Sequence, residues 1–194
     1  MLQKRQVLFI SGTPGVGKST LCKELEKFNF FHLDVGKVVV KKRLYLKYDR
    51  KTSSFIVSVK RIKTLVKRTV RKTEGNIAVD WMHSYELADS VQGSAKKVIV
   101  LRCDPLTLYK RISKKYGVKK TKENVLSEFL NQISHEAHES LGNVIEFDTT
   151  KTKPKKIALR LINDNVKAGR RIDWMKKYSR NKSRLKVLLK IVEK

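Results

Sequence analysis

Apolar residues in this chain fall into short runs separated by stretches with helical spacing. Gln6 to Ser11 (QVLFIS) is a run of strand length, followed by a Gly-rich turn and then by Leu21, Leu25 and Phe28 at the spacing of one helix face. Phe31 to Val35, Asn76 to Asp80, Lys97 to Cys103 and Val144 to Asp148 read as further strands. Between them, Ile62, Leu65, Val66 and Val70 mark one face of a helix, and Val125, Phe129, Ile133 and Ala137 mark another. Pro154 stands where a first helical turn begins, with Ile157, Leu161 and Ile162 after it. Strands that alternate with helices predict an α/β fold with a parallel sheet covered on both faces. Near the end, Leu185, Leu188, Leu189 and Val192 share a stripe, with Arg184, Lys186, Lys190 and Lys194 between them, which is a basic amphipathic helix.

With 194 residues the chain can bury one core, and no internal repeat or Pro/Gly/Ser-rich linker divides it. No apolar run approaches the roughly 20 residues of a bilayer span and no cleavage-site pattern follows Lys4-Arg5, so the chain is expected to be soluble and cytoplasmic, with no membrane partner. Cys22 and Cys103 lack CxxC spacing. They give no zinc motif and read as small buried hydrophobes of a reducing compartment.

Charge changes the picture. The formal net charge is +27, and Lys37 to Lys72 carries fourteen basic residues against the single acid Asp49. Asn165 to Lys194 carries eleven against Asp173 and Glu193. Such a surplus calls for an anionic partner larger than a nucleotide, for which RNA is the natural candidate, or for a solubility explanation. Tyr45, Tyr48 and Phe55 interleave with the cations as stacking platforms would, although core packing, like a solvated basic helix face, accounts for the same residues.

The chemistry is concentrated at Gly12-Thr13-Pro14-Gly15-Val16-Gly17-Lys18-Ser19, which matches GxxxxGK[ST] between a strand and a helix. Glycines let successive N–H groups turn inward and the helix N-terminus adds its positive dipole end, together a nest for the polyphosphate of ATP. Gly12, Thr13, Gly15, Val16, Gly17, Lys18, Ser19 and Thr20 are therefore the candidate nucleotide-binding residues. Lys18 would sit between the β- and γ-phosphates, and the Ser19 hydroxyl would ligate Mg²⁺. An acid at the end of a second apolar strand completes such a site, and Asp80 supplies it, either as a magnesium ligand or as a proton acceptor; a helix cap is its plain alternative. His83 lies three residues beyond and has no assigned role. His135 and His138 in HEAHE do not make HExxH, and the apolar stripe explains that helix without a metal.

These residues resemble the adenylate kinase isoenzyme 6 family, particularly its archaeal members. The likeness covers GTPGVGKST (Gly12 to Thr20), VGK...LYLKYD (Val35 to Asp49), Val79-Asp80, VLRCDPLTLYKRI (Val100 to Ile112), KEN (Lys122 to Asn124), HEA (His135 to Ala137) and IDWMKKY (Ile172 to Tyr178). The resemblance implies a P-loop NTPase of nucleoside-monophosphate-kinase type. Residues 1–178 would form one kinase domain around a five-stranded parallel sheet, with a helical monophosphate region about 36–70, a short lid about 111–119 and a basic helix over 179–194. It also implies ATP and Mg²⁺ as cofactors, AMP or another nucleoside monophosphate as acceptor, and Arg111 and Lys115 beside the phosphates as catalytic residues with Lys18 and Asp80. The loop after Phe147 would touch adenine. Ribosomal RNA and the small-subunit protein uS11 are the implied partners in small-subunit maturation, with ATPase activity alongside.

The chain departs from the family at several positions. Lys37 replaces the acid after the Val-Gly pair, and Val40 stands at the monophosphate-binding Arg, with Lys41 and Arg43 nearby. Met82 takes a His position, leaving His83 displaced by one, and Lys115 replaces the lid Arg without its bidentate geometry. ATP binding is expected to survive these changes and AMP phosphorylation to be weak. An ordinary metabolic nucleotide or small-molecule kinase with no ribosomal role is the alternative, and a non-catalytic RNA module with a relic loop is a third.

Overall fold

In the computed structural model, which describes residues 5–50, 54–168 and 171–193, the five strand-like runs pair side by side. They are β1 (Gln6–Ser11), β2 (Phe30–Asp34), β5 (Asn76–Asp80), β6 (Ala95–Arg102) and β7 (Val144–Asp148), parallel throughout and ordered β2-β5-β1-β6-β7. Because successive strand residues point to opposite faces, the apolar runs fill two cores at once. Leu8, Ile10, Ala78, Ile99 and Leu101 face α1 (Lys18–Glu26), α4 (Pro105–Ile112), α5 (Val118–Phe129) and α7 (Pro154–Ile162). Val7, Phe9, Ile77, Val79 and Val100 face α2 (Val35–Lys41), α3 (Val59–Lys72), α6 (Gln132–Ser140) and a 3₁₀ helix over Ser84–Ser90. The expected α/β architecture, helices on both faces of a five-stranded sheet, is what the chain adopts.

Two elements differ from the reading of the sequence. The segment 36–70 is not helical throughout: between α2 and α3 it makes an antiparallel hairpin, β3 (Tyr45–Asp49) with β4 (Ser54–Val57). The β-branched and aromatic residues of the hairpin outweigh the helical spacing around them, and Tyr45 and Tyr48 pack on Phe55 at ring distances of 4.6 and 5.0 Å. The stripe from Val125 to Ala137 is not one helix either. It breaks between α5 and α6 at Asn131, whose backbone is left-handed (φ 57°) and whose side-chain oxygen accepts from Arg102 and from the Trp174 amide. Asn tolerates that conformation, and a buried Arg gains an acceptor by the break.

After α7 the chain returns beneath the first core as α8 (Trp174–Ser179) and α9 (Lys182–Glu193). Trp174, Tyr178 and Leu188 are buried in the same cluster as α1, and Leu185 and Val192 pack against it. The basic amphipathic helix of the sequence thus docks on its own domain through its Leu face; Lys194 lies outside the described residues. Among the described residues no helix is long and apolar enough to cross a membrane.

Candidate active site

The nest forms where β1 gives way to α1, at the carboxyl end of the sheet where the strand order switches sides. Its first residue is pressed against β6: a Cβ on Gly12 would meet the Leu101 carbonyl oxygen at 2.5 Å, so no larger residue fits. Its amide donates to the Met82 carbonyl at 3.1 Å, which ties the loop to the end of β5. Gly17 precedes α1 in a left-handed conformation (φ 109°) and faces open space. That conformation is cheap for glycine alone, and it aims the first free amides of α1 at the opening.

Lys18 is folded back on this loop, its ammonium donating to the carbonyls of Gly12 (2.7 Å) and Thr13 (3.2 Å). Burial lowers its pKa, and the nearby Asp80 carboxylate opposes that shift. Ser19 donates its hydroxyl directly to Asp80 Oδ2 at 2.6 Å. Asp80 is 5% exposed. Burial alone would raise its pKa, yet hydrogen bonds from His32 and Ser19 and the charge of Lys18 outweigh it and hold the carboxyl below its ordinary value. The side chain of Asp80 therefore faces Ser19 rather than capping a helix. A hydroxyl and a buried carboxylate in direct contact beside a phosphate nest are a hard-oxygen pair that fits Mg²⁺.

A cavity of about 340 Å³ opens on the other side of the nest, lined by Gly15, Gly17, Thr20, Arg111, Lys115 and Thr149 among others. Arg111, in the last turn of α4, donates to the Thr149 hydroxyl (3.2 Å) and carbonyl (2.9 Å). The fold thus brings Arg111, Lys115 and the loop after Phe147 to one mouth with Thr20 and the glycines. One candidate turns away from it: Thr13 is 1% exposed with its hydroxyl donating to Glu128 at 2.6 Å, whereas Val16, although fully buried, borders the cavity. His83 turns toward Tyr85 (3.2 Å) and Glu136 (3.6 Å), and burial lowers its pKa although Glu86 and Glu136 oppose it. Val40 and Lys41 lie exposed on α2.

Two groups escaped the sequence reading. His32, from the middle of β2, places Nε2 3.3 Å from Asp80. Glu128, 2% exposed on α5, gathers donors from four places: Thr13, Arg102 (2.9 Å), the Cys103 amide (3.0 Å) and the Trp174 indole (2.9 Å). It joins the nest to the returning C-terminal segment. An acid in the middle of an apolar stripe, paired with a buried strand Arg, was the signal that could have found it.

A family model described as "AAA domain" matches residues 8–131. A relative from Sulfurisphaera tokodaii named "Putative adenylate kinase" is 30% identical over 171 residues, covering 87% of this chain and 86% of its own. One of the same name from Pyrococcus furiosus is 32% identical over 180 residues, covering 89% and 93%. Among solved structures, a shikimate kinase from Bacteroides thetaiotaomicron superposes with a TM-score of 0.52 at 14% identity, covering 84% of this chain and 98% of that one. A protein from Thermus thermophilus does so with a TM-score of 0.55, also at 14% identity and with the same coverage. At that identity these two speak for the fold alone. The family match over more than half of the chain and the relatives along most of its length agree with the sheet order and the nest, and the chain belongs to the P-loop family of nucleoside-monophosphate-kinase type that includes these proteins.

Proposed function

We propose that the chain binds ATP with Mg²⁺ and transfers the γ-phosphoryl group to a nucleoside monophosphate, AMP first, or to water. The observation that carries this reading is that one glycine-rich loop has Lys18 and the Ser19–Asp80 pair at one side and the cavity lined by Arg111 and Lys115 at the other. The amides from Gly15 to Thr20 bind the β-phosphate. Lys18 exchanges the Gly12 and Thr13 carbonyls for β- and γ-oxygens, which restores the full charge that burial disfavours. Mg²⁺, when held by Ser19 and Asp80, would neutralise charge on the phosphate oxygens. Arg111 and Lys115 approach the γ-phosphoryl group from the α4 side and offset the negative charge that the transition state spreads over its oxygens. Relatives named for adenylate kinase activity support AMP as acceptor. Val40 and Lys115, which lack the planar fork of Arg, support a slow transfer.

The basic surface supports an RNA partner beside the nucleotide. On α3, Ile62, Val66 and Val70 face the core while Lys60, Arg61, Lys67, Arg68, Arg71 and Lys72 stay exposed, and the helix holds no acid. Arg61, Arg68 and Lys72 line a groove of about 530 Å³ together with Lys42 and Leu44. Lys51, another cation of this region, lies outside the described residues. A role in ribosomal RNA maturation, and uS11 as protein partner, enter this reading through the family resemblance.

Radiolabelled ATP incubated with each monophosphate, and with water alone, identifies the acceptor from the products. Lys18→Ala should abolish turnover in every case. ATP that gives no calorimetric heat with magnesium present overturns the reading. For the groove, Arg61→Glu with Arg68→Glu should flatten the salt dependence of RNA affinity by about 1 in log–log slope for each phosphate no longer neutralised. An unchanged slope returns the charge to a solvated face and favours an ordinary metabolic kinase.

A further inference from the structure

Beneath α1 lies a second constellation, of which the proposed phosphoryl transfer uses only Asp80. Phe30, His32 and Asp34 point to one face of β2, and the register His32↔Ala78 and Asp34↔Asp80 puts Ala78 and Asp80 on that same face of β5. Cys22, one turn beyond Lys18 and Ser19 in α1, packs down on it. Cys22, His32 and Asp80 each offer one ligand atom, and the three atoms lie within 4.8 Å of one another. Cys22 is fully buried and the His32 ring is 9% exposed. His32 has carboxylates on both sides, Asp80 at 3.3 Å from Nε2 and Glu26 at 3.7 Å from Nδ1. A buried thiol alone is explained by packing. Here the thiol stands beside an imidazole that meets a carboxylate at each ring nitrogen, so sulfur, nitrogen and oxygen donors share one small space.

We propose that Cys22, His32 and Asp80 form a binding site for Zn²⁺, with Glu26 orienting His32 from behind. The donors are sulfur, nitrogen and oxygen, a set that suits zinc and that magnesium does not seek. A carboxylate on the far nitrogen of a ligating imidazole fixes its tautomer and strengthens it as a donor. Binding replaces the Cys22 S–H bond with an S–Zn bond and releases that proton to solvent. Thiolate and carboxylate together cancel the charge of the ion, which offsets repulsion from Lys18. The Ser19 hydroxyl, 2.6 Å from Asp80 Oδ2, or a water completes four-coordination. Because Asp80 is shared, zinc and the magnesium of the proposed reaction exclude one another, so zinc inhibits. The inhibition rests on the phosphotransferase reading; the binding does not.

The test uses the full chain freed of metal, with Co²⁺ as a spectroscopic stand-in for Zn²⁺. Wild type should develop a sulfur-to-cobalt charge-transfer band in the near ultraviolet together with the visible bands of a four-coordinate ion. Cys22→Ser should lose the charge-transfer band. By calorimetry, Zn²⁺ affinity should fall at least tenfold in Cys22→Ala and in His32→Gln, and about tenfold in Glu26→Gln. Cys22→Ala should keep its ATP turnover while escaping inhibition by zinc in excess magnesium. Absence of the charge-transfer band in wild type, or equal Zn²⁺ affinity in wild type and Cys22→Ala, overturns the site. A chain that shows the band but turns over no ATP upholds the site and removes only the phosphotransferase reading.

Discussion

Replacing Glu128 with Gln tests whether the buried carboxylate under the nest holds the domain together. The two side chains have the same shape, so the change removes charge without opening a cavity. The amide oxygen can still accept from Arg102, the Cys103 amide and the Trp174 indole, as Oε1 does now. An NH₂ group then replaces Oε2, and the Thr13 hydroxyl, which donates to it at 2.6 Å, must turn round. Arg102, 1% exposed, keeps Glu146 at 3.5 Å and the carbonyl of Ile172 at 2.8 Å but loses its nearest counter-charge. A charge-assisted hydrogen bond contributes about 1.5–3 kcal/mol, and breaking a buried pair costs about 3–5, so the expected loss is about 2–4 kcal/mol. At about 2–4 °C per kcal/mol for a chain of this size, Tm should fall by roughly 5–15 °C. Lys27→Gln is the control. Lys27 meets Glu24 at a similar 2.8 Å, but with its side chain 65% exposed, and its loss should cost under about 0.5 kcal/mol. Urea melts that show equal, small losses for both variants would refute the argument that burial, rather than distance, sets the strength of these pairs.

Asp80→Asn should cut ATP turnover strongly and leave nucleotide affinity largely in place, measured by initial rates and calorimetry; unchanged turnover would leave Asp80 only a structural acceptor for Ser19 and His32. Leu188→Ala should cost about 2–5 kcal/mol in a urea melt, because the side chain is 1% exposed and cannot be replaced from solvent, whereas Leu189→Ala, 40% exposed, should cost far less. His83 and His138 are both held below the ordinary 6.5, by burial first, against the opposing pull of neighbouring glutamates. Their unfolded forms protonate near 6.5 and their folded forms only below it, so the stability they contribute is complete above pH 6.5 and is lost as pH falls from there through the folded values. Tm measured at pH 7.5 and pH 5.5 should show this decline, and the double variant His83→Gln/His138→Gln should flatten it.

The amino-acid sequence by itself determined the β strands of the sheet and the glycine-rich nest after β1. Each strand is a short apolar run, the central ones buried on both faces, and the nest is a contiguous stretch whose glycines and Lys18 act through local backbone geometry. Both are read from neighbours along the chain. Tertiary structure decided what depends on distant residues meeting. The hairpin between α2 and α3 won over helical spacing because its rings could pack across strands. The helix broke at Asn131 because a buried Arg102 and the Trp174 amide needed its side chain, forty-three residues from the latter. Arg111 and Lys115 share a cavity with Thr149 only because β6 and β7 lie side by side. His32 and Cys22 reach Asp80 through strand register and helix packing, and no spacing along the chain encodes that. Local geometry follows from the order of residues, whereas the partners of a buried polar group follow from which surfaces the cores press together.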